Sequence, residues 1–196
     1  MVSALDRILE TLALRHSTEP HVADDDSPRA AVAAILREHE GRTELFFIQR
    51  AEHPNDPWSG HIAFPGGRKD PEDPNLLATV MRETYEEVGL SLGPESLVAR
   101  LPDVRAPARE SRNALVVTPY VFALRNEAEL RLDPSEVADT LWVPLSWLLA
   151  KQGHGAHSFE WHGKVHEMPC YRLDPGQRVL WGMTYWMLAS MLEGLE

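Results

Sequence analysis

The protein has 196 residues, which fits one domain with modest extensions, and its 43% hydrophobic and 25% charged residues are enough for a sizeable core. Its formal net charge of −11 argues against a nucleic-acid partner, because surfaces that bind nucleic acid usually carry a basic field. The charge does not exclude a phosphorylated small molecule, because a bound divalent cation can reverse the local field.

The first third of the chain predicts one helix and one strand pair. Apolar residues recur at helical spacing over residues 3–15, which indicates an amphipathic helix. A polar connector follows and ends at Pro28. A run of small and β-branched residues at 30–36 and a second run at 44–49, Glu-Leu-Phe-Phe-Ile-Gln, flank Gly41, which predicts two paired strands.

The middle of the chain predicts further strands. A loop at residues 54–59 precedes a short strand at 61–64, and strands are expected again at 97–104 and 114–124. The last of these contains Pro119, which indicates an edge strand or a bulge because proline cannot donate to a strand ladder.

The last third mixes strands and helices. A short strand at 140–143 leads into a helix at 145–151. Residues 157–161 and 164–168 flank a His-Gly pair and are predicted to form a hairpin, and residues 178–192 close the chain as a helix. This mixture indicates one domain of α/β or α+β class.

We expect a cytoplasmic protein. The first seven residues lack a basic stretch followed by an apolar run, so no targeting segment is predicted. The apolar stretch at 179–195 is interrupted and too short to cross a membrane. The single cysteine, Cys170, excludes an intramolecular disulfide and suits a reducing compartment.

A helix with an unusual polar face is predicted between Asp73 and Gly89. Asp73 is a suitable N-cap with proline in the first helical position, and Gly89 is a suitable stop. On a helical wheel one face is expected to pack on a sheet, and it holds Leu77, Met81, Thr84, Tyr85 and Val88. The opposite face holds Glu83, Glu86 and Glu87.

These three glutamates are placed where helix stability argues against them. Each exposed pair of like charges destabilises the helix by roughly a few tenths of a kcal/mol. The helix dipole also disfavours negative charge near the C-terminus. Mg²⁺ or Mn²⁺ would relieve this conflict, because both prefer compact sites of carboxylate oxygens. For a bare Glu-x-x-Glu-Glu a solvated acidic face is the simpler interpretation, so the neighbouring residues decide.

Those neighbours resemble the signature of the Nudix family. Phe64-Pro65-Gly66-Gly67 is followed by Arg82-Glu83-x-x-Glu86-Glu87-x-Gly89-Leu90, and the signature is G-x5-E-x7-R-E-U-x-E-E-x-G-U, with U apolar. Asp73 stands where the family usually has glutamate, with one residue more before Arg82, and Thr84 replaces an aliphatic residue. The change at Asp73 affects a partner of the signature arginine and leaves the metal-binding carboxylates in place.

The resemblance implies an α/β/α sandwich with a central mixed sheet. Residues 1–28 would be an N-terminal helix and connector, and residues 29–196 the Nudix domain with a C-terminal hairpin and helix. The implied activity is hydrolysis of a nucleoside diphosphate linked to another moiety. The implied Mg²⁺ or Mn²⁺ ligands are Glu83, Glu86, Glu87 and the backbone carbonyl of Gly67.

Two further roles follow from the resemblance. Arg82 would orient the acidic cluster through a bidentate pair with Glu86 or Asp73. The general base in this family is a glutamate either of the signature segment at residues 82–90, the acidic box, or of a distant loop. Glu136, six residues before Trp142, matches such a loop position, although an ordinary surface acid is an equally good interpretation. Glu110 is a weaker alternative.

Outside the box the chain resembles the coenzyme A pyrophosphatase branch, whose members split coenzyme A into 3′,5′-ADP and 4′-phosphopantetheine. The similar segments are Gln49-Arg50-Ala51, Gly60 to Gly67, Arg68-x-Asp70-x-x-Asp73, Val117-x-Pro119 and Trp181-Gly182-Met183-Thr184. The predicted substrate contacts are Arg50, Arg68, Trp58, Arg105 and Arg112.

Other substrates and one other class stay open. The basic stretch that this branch usually has before its glycine is absent ahead of Gly60, so ADP-ribose, NADH or another nucleoside diphosphate derivative is the alternative. An oxidised nucleoside triphosphate is a further one. A catalytically silent Nudix binding module is less favoured, because all three box glutamates are present. The expected partner is a small-molecule nucleotide, with no nucleic acid or membrane and with a homodimer contact open at the last helix.

Overall fold

A computed structural model describes residues 3–18, 27–54, 58–106, 114–161, 163–174 and 178–195. The α-helices in this part of the chain are α1 (Ala4–Arg15), α2 (Leu76–Val88), α3 (Leu145–Leu149) and α4 (Gly182–Leu192). The strands are β1 (Arg29–His39), β2 (Arg42–Arg50), β3 (Ile62–Ala63), β4 (Gly66–Arg68), β5 (Leu97–Arg100), β6 (Val104–Arg105), β7 (Val116–Leu124), β8 (Val137–Pro144), β9 (His154–Trp161), β10 (Lys164–Arg172) and β11 (Val179–Leu180). A short 3-10 helix, Pro94–Ser96, precedes β5.

A mixed eight-stranded sheet forms the centre of the molecule, with β1 in its middle. β1 runs antiparallel to β2 and β4 and parallel to β7, over nine aligned residue pairs from Arg29 opposite Val116 to Arg37 opposite Leu124. The predicted pairing of the first two strands across Gly41 is confirmed.

Helices cover both faces of this sheet. Alternate residues of β1 point to opposite sides: Ala31, Ala33 and Ile35 belong to the core cluster that contains the valines of α2. Ala34 and Leu36 belong to the other cluster, which is formed with α1, α3 and α4. The predicted α/β/α sandwich with a central mixed sheet is therefore confirmed.

The C-terminal strands form a second, smaller sheet in the order β11-β10-β9. β9 and β10 form the predicted hairpin, in which Lys164 lies opposite Trp161. The predicted last helix begins later than expected, at Gly182, because Val179–Leu180 pairs with β10 as β11. Contacts of β11 with β3 connect the small sheet to the edge of the large one.

Two strand predictions need correction. The expected strand at 97–104 is divided into β5 and β6, and β7 is an inner strand between β1 and these two pieces. An edge position for Pro119 is therefore wrong. The carbonyl of Pro119 accepts the Leu101 N–H at 2.9 Å, so this residue faces the interruption between β5 and β6, where the ladder is already broken.

None of the helices in the described ranges is long and apolar enough to cross a membrane.

Candidate active site

The acidic box, residues 82–90, lies on the C-terminal half of α2 and the residues that follow it. α2 begins after Asn75, whose side-chain oxygen accepts a backbone N–H of the first turn at 2.9 Å. It ends at Gly89, which has a φ of 75°. The predicted stop at Gly89 is confirmed, and the predicted N-cap at Asp73 is wrong.

Asp73 is instead the partner of Arg82. Arg82 Nε donates to Asp73 Oδ1 at 3.0 Å and Nη2 donates to Oδ2 at 2.8 Å. Only 8% of Asp73 is exposed, and hydrogen bonding to the guanidinium holds the pKa of its carboxyl well below the usual range. A nearly buried carboxylate is stabilised more by two charged hydrogen bonds than by a helix end in solvent, which explains why Asn75 forms the cap.

Arg82 also binds two glutamates of the box. Its Nη1 lies 3.0 Å from Glu83 Oε1 and 2.8 Å from Glu86 Oε2. One of the two predicted partners, Asp73, thus forms the bidentate pair, and Glu86 forms a single contact. Arg82 therefore joins the segment before α2 to the acidic face of the helix.

The buried face of α2 differs from the predicted one. Tyr85 was expected to pack on the sheet but is 53% exposed, and Glu87 was expected on the outer face but is 1% exposed. Val80 and Val88 are in the core cluster on this side of the sheet. Glu87 lies two turns after Val80, on the same side of the helix, so packing of the valines carries Glu87 inward.

Glu87 is a buried carboxylate in contact with the Gly66-Gly67 pair at the start of β4, the glycine loop. Its Oε2 accepts the N–H of Gly66 at 2.8 Å. Burial raises the pKa of Glu87 to about 8, with the charges of Glu136 and Glu83 acting in the same direction and the Gly66 N–H and Arg50 opposing them. Burial also raises the pKa of Glu83. Glu86 is the accessible member of the three, with a side chain that is 56% exposed.

The two glycines leave no space for side chains. Gly66 has a φ of 138°, and a Cβ there would lie against the backbone of Ala31 and Val32. A Cβ on Gly67 would instead meet the carboxylate of Glu83, 2.7 Å from its Oε1. The backbone of Gly67 therefore approaches Glu83 closely, as expected of two groups that share one ligand.

Glu136 reaches this cluster from another part of the chain. It lies just before β8, its side chain is exposed, and its charge raises the pKa values of both Glu83 and Glu87. Its backbone carbonyl accepts the N–H of Ala51 at 2.8 Å. The loop position expected to supply a distant glutamate is thus near the box.

The predicted substrate contacts fall into different places. Arg50 ends β2 and interacts electrostatically with Glu87, and Arg68 is exposed at the end of β4. Trp58 is exposed in the turn before β3. Arg105 is exposed on β6, which β7 separates from β1. Arg112, like the alternative base Glu110, lies outside the described residues.

The donor set fits a hard divalent cation. The three glutamates and the Gly67 carbonyl offer oxygen ligands, which Mg²⁺ and Mn²⁺ prefer. Like charges crowded around a buried carboxylate are a conflict that a cation relieves. In the described part of the chain, no three Asp, Glu, His or Cys side chains already converge as an ion-binding group. The carboxylates of Glu83 and Glu86 point instead toward Arg82, to which both are bound.

Sequence reasoning missed His53 and Asp133, which hold the segment around Glu136. His53 Nε2 lies 2.6 Å from the carbonyl oxygen of Ser135, across 82 positions of sequence. Asp133 Oδ1 accepts the Ser135 N–H at 2.8 Å. An Asp-x-Ser turn is visible in a sequence, but no local pattern indicates that a distant histidine contacts it.

Comparison with known proteins gives the same family along most of the chain. A family model described as NUDIX domain matches residues 27–162. An uncharacterized Nudix hydrolase, NudL of Photorhabdus laumondii, is 31% identical over 138 residues, which cover 70% of each protein.

Two similar proteins are named as peroxisomal coenzyme A diphosphatases. The protein ndx-8 of Caenorhabditis elegans is 31% identical over 144 residues, covering 73% of this chain and 54% of that protein. NUDT7 of Mus musculus is 31% identical over 163 residues, covering 81% and 66% respectively. The chain thus spans about half to two thirds of the length of these curated relatives.

Solved structures share the fold. A MutT/nudix family protein from Enterococcus faecalis matches with a TM-score of 0.59 at 16% identity, covering 98% of this chain and 74% of that one. The NUDIX domain of Shewanella oneidensis NrtR, complexed with ADP ribose, matches with a TM-score of 0.51 at 23% identity, covering 68% and 83%. At these identities the likeness concerns the fold alone.

Proposed function

This chain belongs to the Nudix family of pyrophosphohydrolases, and from that premise we propose that it is a divalent-metal-dependent enzyme that hydrolyses coenzyme A or an acyl-coenzyme A. The products would be 3′,5′-ADP and 4′-phosphopantetheine or its acyl derivative. The observation that carries the chemistry is the complete acidic box on α2, with the Asp73–Arg82 pair on one side and the glycine loop on the other.

The substrate proposal rests on the relatives and on segments outside the box. Two relatives named as coenzyme A diphosphatases are each 31% identical to this chain. Arg50 ends β2, where its charge acts on Glu87, and Arg68 ends β4 directly after Gly67. Both are proposed to contact an anionic substrate. Arg105 and Arg112 remain predicted contacts for a further phosphate, and Trp58 for the base.

Glu83, Glu86 and Glu87, with the Gly67 carbonyl, would hold Mg²⁺ or Mn²⁺, and the bound ion would neutralise pyrophosphate charge and lower the pKa of the attacking water. Asp73 holds Arg82, which contacts Glu83 and Glu86 directly and keeps both in place. Glu136 is assigned as the general base, because it lies on a separate element and its charge acts on both Glu83 and Glu87. In-line displacement at phosphorus depends mainly on such positioning and on charge neutralisation.

A substrate screen with Mg²⁺ and Mn²⁺ tests the proposal. The panel is coenzyme A, acetyl-coenzyme A, ADP-ribose, NADH and a dinucleoside polyphosphate, with products identified by mass spectrometry. We expect coenzyme A or its acyl derivative to have the highest kcat/KM, with 3′,5′-ADP as a product. Preference for ADP-ribose or NADH would establish the alternative, to which the lack of Arg and Lys in residues 52–60 points. No turnover of any compound would indicate a binding module.

Expectations about surroundings stay predictions. The cytoplasmic location is one of them, because the two coenzyme A diphosphatases above are named for peroxisomes. We propose no nucleic-acid or membrane partner. A homodimer contact, expected at the last helix, would involve Trp186, which is exposed on α4.

A further inference from the structure

The loop that carries Glu136 is attached to the end of the acidic helix. The N–H of Arg131 donates to the carbonyl of Val88 at 2.9 Å, and the N–H of Asp133 donates to the carbonyl of Glu87, also at 2.9 Å. The main chain before Glu136 is therefore hydrogen-bonded to the C-terminal turn of α2, on which the box glutamates lie.

Asp133 shapes the turn that precedes Glu136. Its Oδ1 accepts both the N–H of Ser135, at 2.8 Å, and the Ser135 hydroxyl, at 2.6 Å. Its carbonyl accepts the N–H of Glu136 at 3.0 Å. These three bonds define the backbone on the N-terminal side of Glu136.

The segment after β2 holds the same turn from the opposite side. His53 Nε2 lies 2.6 Å from the Ser135 carbonyl, and because a carbonyl oxygen only accepts, Nε2 carries the proton. The N–H of Ala51 donates to the next carbonyl, that of Glu136, at 2.8 Å. The backbone N–H of His53 donates to Ser59 Oγ at 2.6 Å. Two successive carbonyls of the turn are thus bound by residues 51–53.

We infer that His53 is a positioning residue for Glu136, acting through the Ser135 carbonyl to hold the turn that carries Glu136 against the end of the acidic helix. This inference rests on the proposed function, in which Glu136 removes the proton of the attacking water. A side chain exposed to solvent has many rotamers, so its position depends on how firmly its backbone is held. Small displacements of a general base lower the rate while leaving substrate binding nearly unchanged.

Two substitutions at position 53 separate this role from simple packing. Gln places an N–H at the same ε position as histidine, whereas Asn is too short to reach Ser135. We expect His53→Asn to lower kcat about 10- to 100-fold with KM within about twofold of wild type. We expect His53→Gln to remain within about threefold of wild type. Equal activity of the two variants, or an unchanged kcat in His53→Asn, would overturn the inference.

A double-mutant cycle shows whether His53 acts through Glu136. In a Glu136→Gln background, His53→Asn should cause no further loss of kcat, because the group that it positions is absent. If the fold-losses of kcat in the two single variants multiply in the double variant, the inference is overturned. A Glu136→Gln enzyme as active as wild type would overturn it as well, because His53 would then have no base to position.

Backbone hydrogen exchange provides a readout that does not depend on turnover. The Ala51 N–H should exchange faster in His53→Asn than in wild type and His53→Gln, because the turn that it binds is loosened. Equal exchange in all three proteins overturns the inference. If wild type hydrolyses no compound of the panel while exchange still changes, the positioning contact stands and the proposed function fails.

Discussion

Glu87 and Gly66 are joined by a hydrogen bond of 2.8 Å from the glycine N–H to a carboxylate that is 1% exposed. This contact places an ionisable carboxyl group inside the protein, where burial and the charges of two other glutamates raise its pKa. A buried charge without a full counterion costs stability, and an enzyme retains it where the charge is needed for function. Glu87 is therefore expected to lower the stability of the protein while being required for its activity.

Glu87→Gln should make the protein more stable and inactive. The amide removes the buried charge and keeps an oxygen for the Gly66 N–H, so we expect the free energy of unfolding at pH 8, without metal, to rise by about 1–3 kcal/mol. kcat should fall by about three orders of magnitude. Glu86→Gln is the matched control, because its side chain is exposed: it should lose activity without gaining stability. Lower stability of Glu87→Gln would contradict this reading of the site.

Asp73→Asn should destabilise the protein and change its response to acid. Loss of the charged pair with Arg82 should cost about 2–4 kcal/mol at pH 7. Because the pKa of Asp73 is lowered in the folded state, its contribution is complete above the ordinary carboxyl pKa and is lost as pH falls through the folded value. Urea titrations from pH 6 to pH 2 should therefore show a shallower loss in Asp73→Asn, with the difference growing below the ordinary carboxyl pKa. The exposed Asp70→Asn should behave as wild type.

Gly67→Ala should affect catalysis more than folding. The added methyl group meets the movable carboxylate of Glu83, so we expect kcat to fall about 10- to 100-fold with a change in stability below about 1 kcal/mol. Gly66→Ala meets backbone at a φ of 138° and should instead reduce stability. Gly155→Ala, with nothing within 4 Å of the added atom, is the control for both. Full activity of Gly67→Ala would remove this close approach from the mechanism.

Removal of divalent metal should abolish activity and lower the melting temperature. Mg²⁺ or Mn²⁺ at 100 times its Kd should stabilise the folded protein by about 2.7 kcal/mol, because it binds only the native site. Differential scanning calorimetry with increasing MgCl₂ measures this, with NaCl at equal ionic strength as the control. The effect should be much smaller in Glu87→Gln. Equal stabilisation of wild type and Glu87→Gln would place the ions elsewhere.

Thr84→Val should stabilise α2 without loss of activity. Thr84 is fully buried, and its hydroxyl has no hydrogen-bond partner within the described ranges. Removing it should raise the free energy of unfolding by about 1–2 kcal/mol, the cost of a buried unsatisfied group. Thr79→Val on the same helix is the matched control, since the Thr79 hydroxyl donates to the Asn75 carbonyl at 3.2 Å and its loss should not stabilise. Destabilisation by Thr84→Val would show that the hydroxyl does have a partner.

Sequence periodicity predicted most of the elements, because an apolar run at period two or 3.6 reflects a local choice between strand and helix. Helix α1, the β1–β2 pair and the C-terminal hairpin were predicted in this way. Predictions were wrong where the position of a strand depends on pairing with strands that are distant in the sequence. The inner position of β7 depends on strands from both ends of the domain, and β11 pairs before α4 begins.

In the candidate site, too, the features set by local spacing were predicted and those set by tertiary contacts were not. The spacing of the box placed Arg82 beside Glu86 and ended the helix at Gly89, because one helical turn relates these residues. The choice between Asn75 and Asp73 as cap required the position of Arg82. The burial of Glu87 depended on how Val80 and Val88 pack against the sheet, which a helical wheel alone does not determine.

By itself the sequence determined the family, most of the helices and longer strands, and the acidic residues of the box, since these follow from short-range spacing. Only the tertiary structure decided that Glu87 is buried against Gly66 and that Asp73 is the bidentate partner of Arg82. It also decided that His53 and Glu136 meet at one turn, through a contact across 82 residues. Contacts of this kind depend on how the sheet and the helices pack together. The energy of that packing comes from the whole core, so no local sequence pattern predicts these contacts.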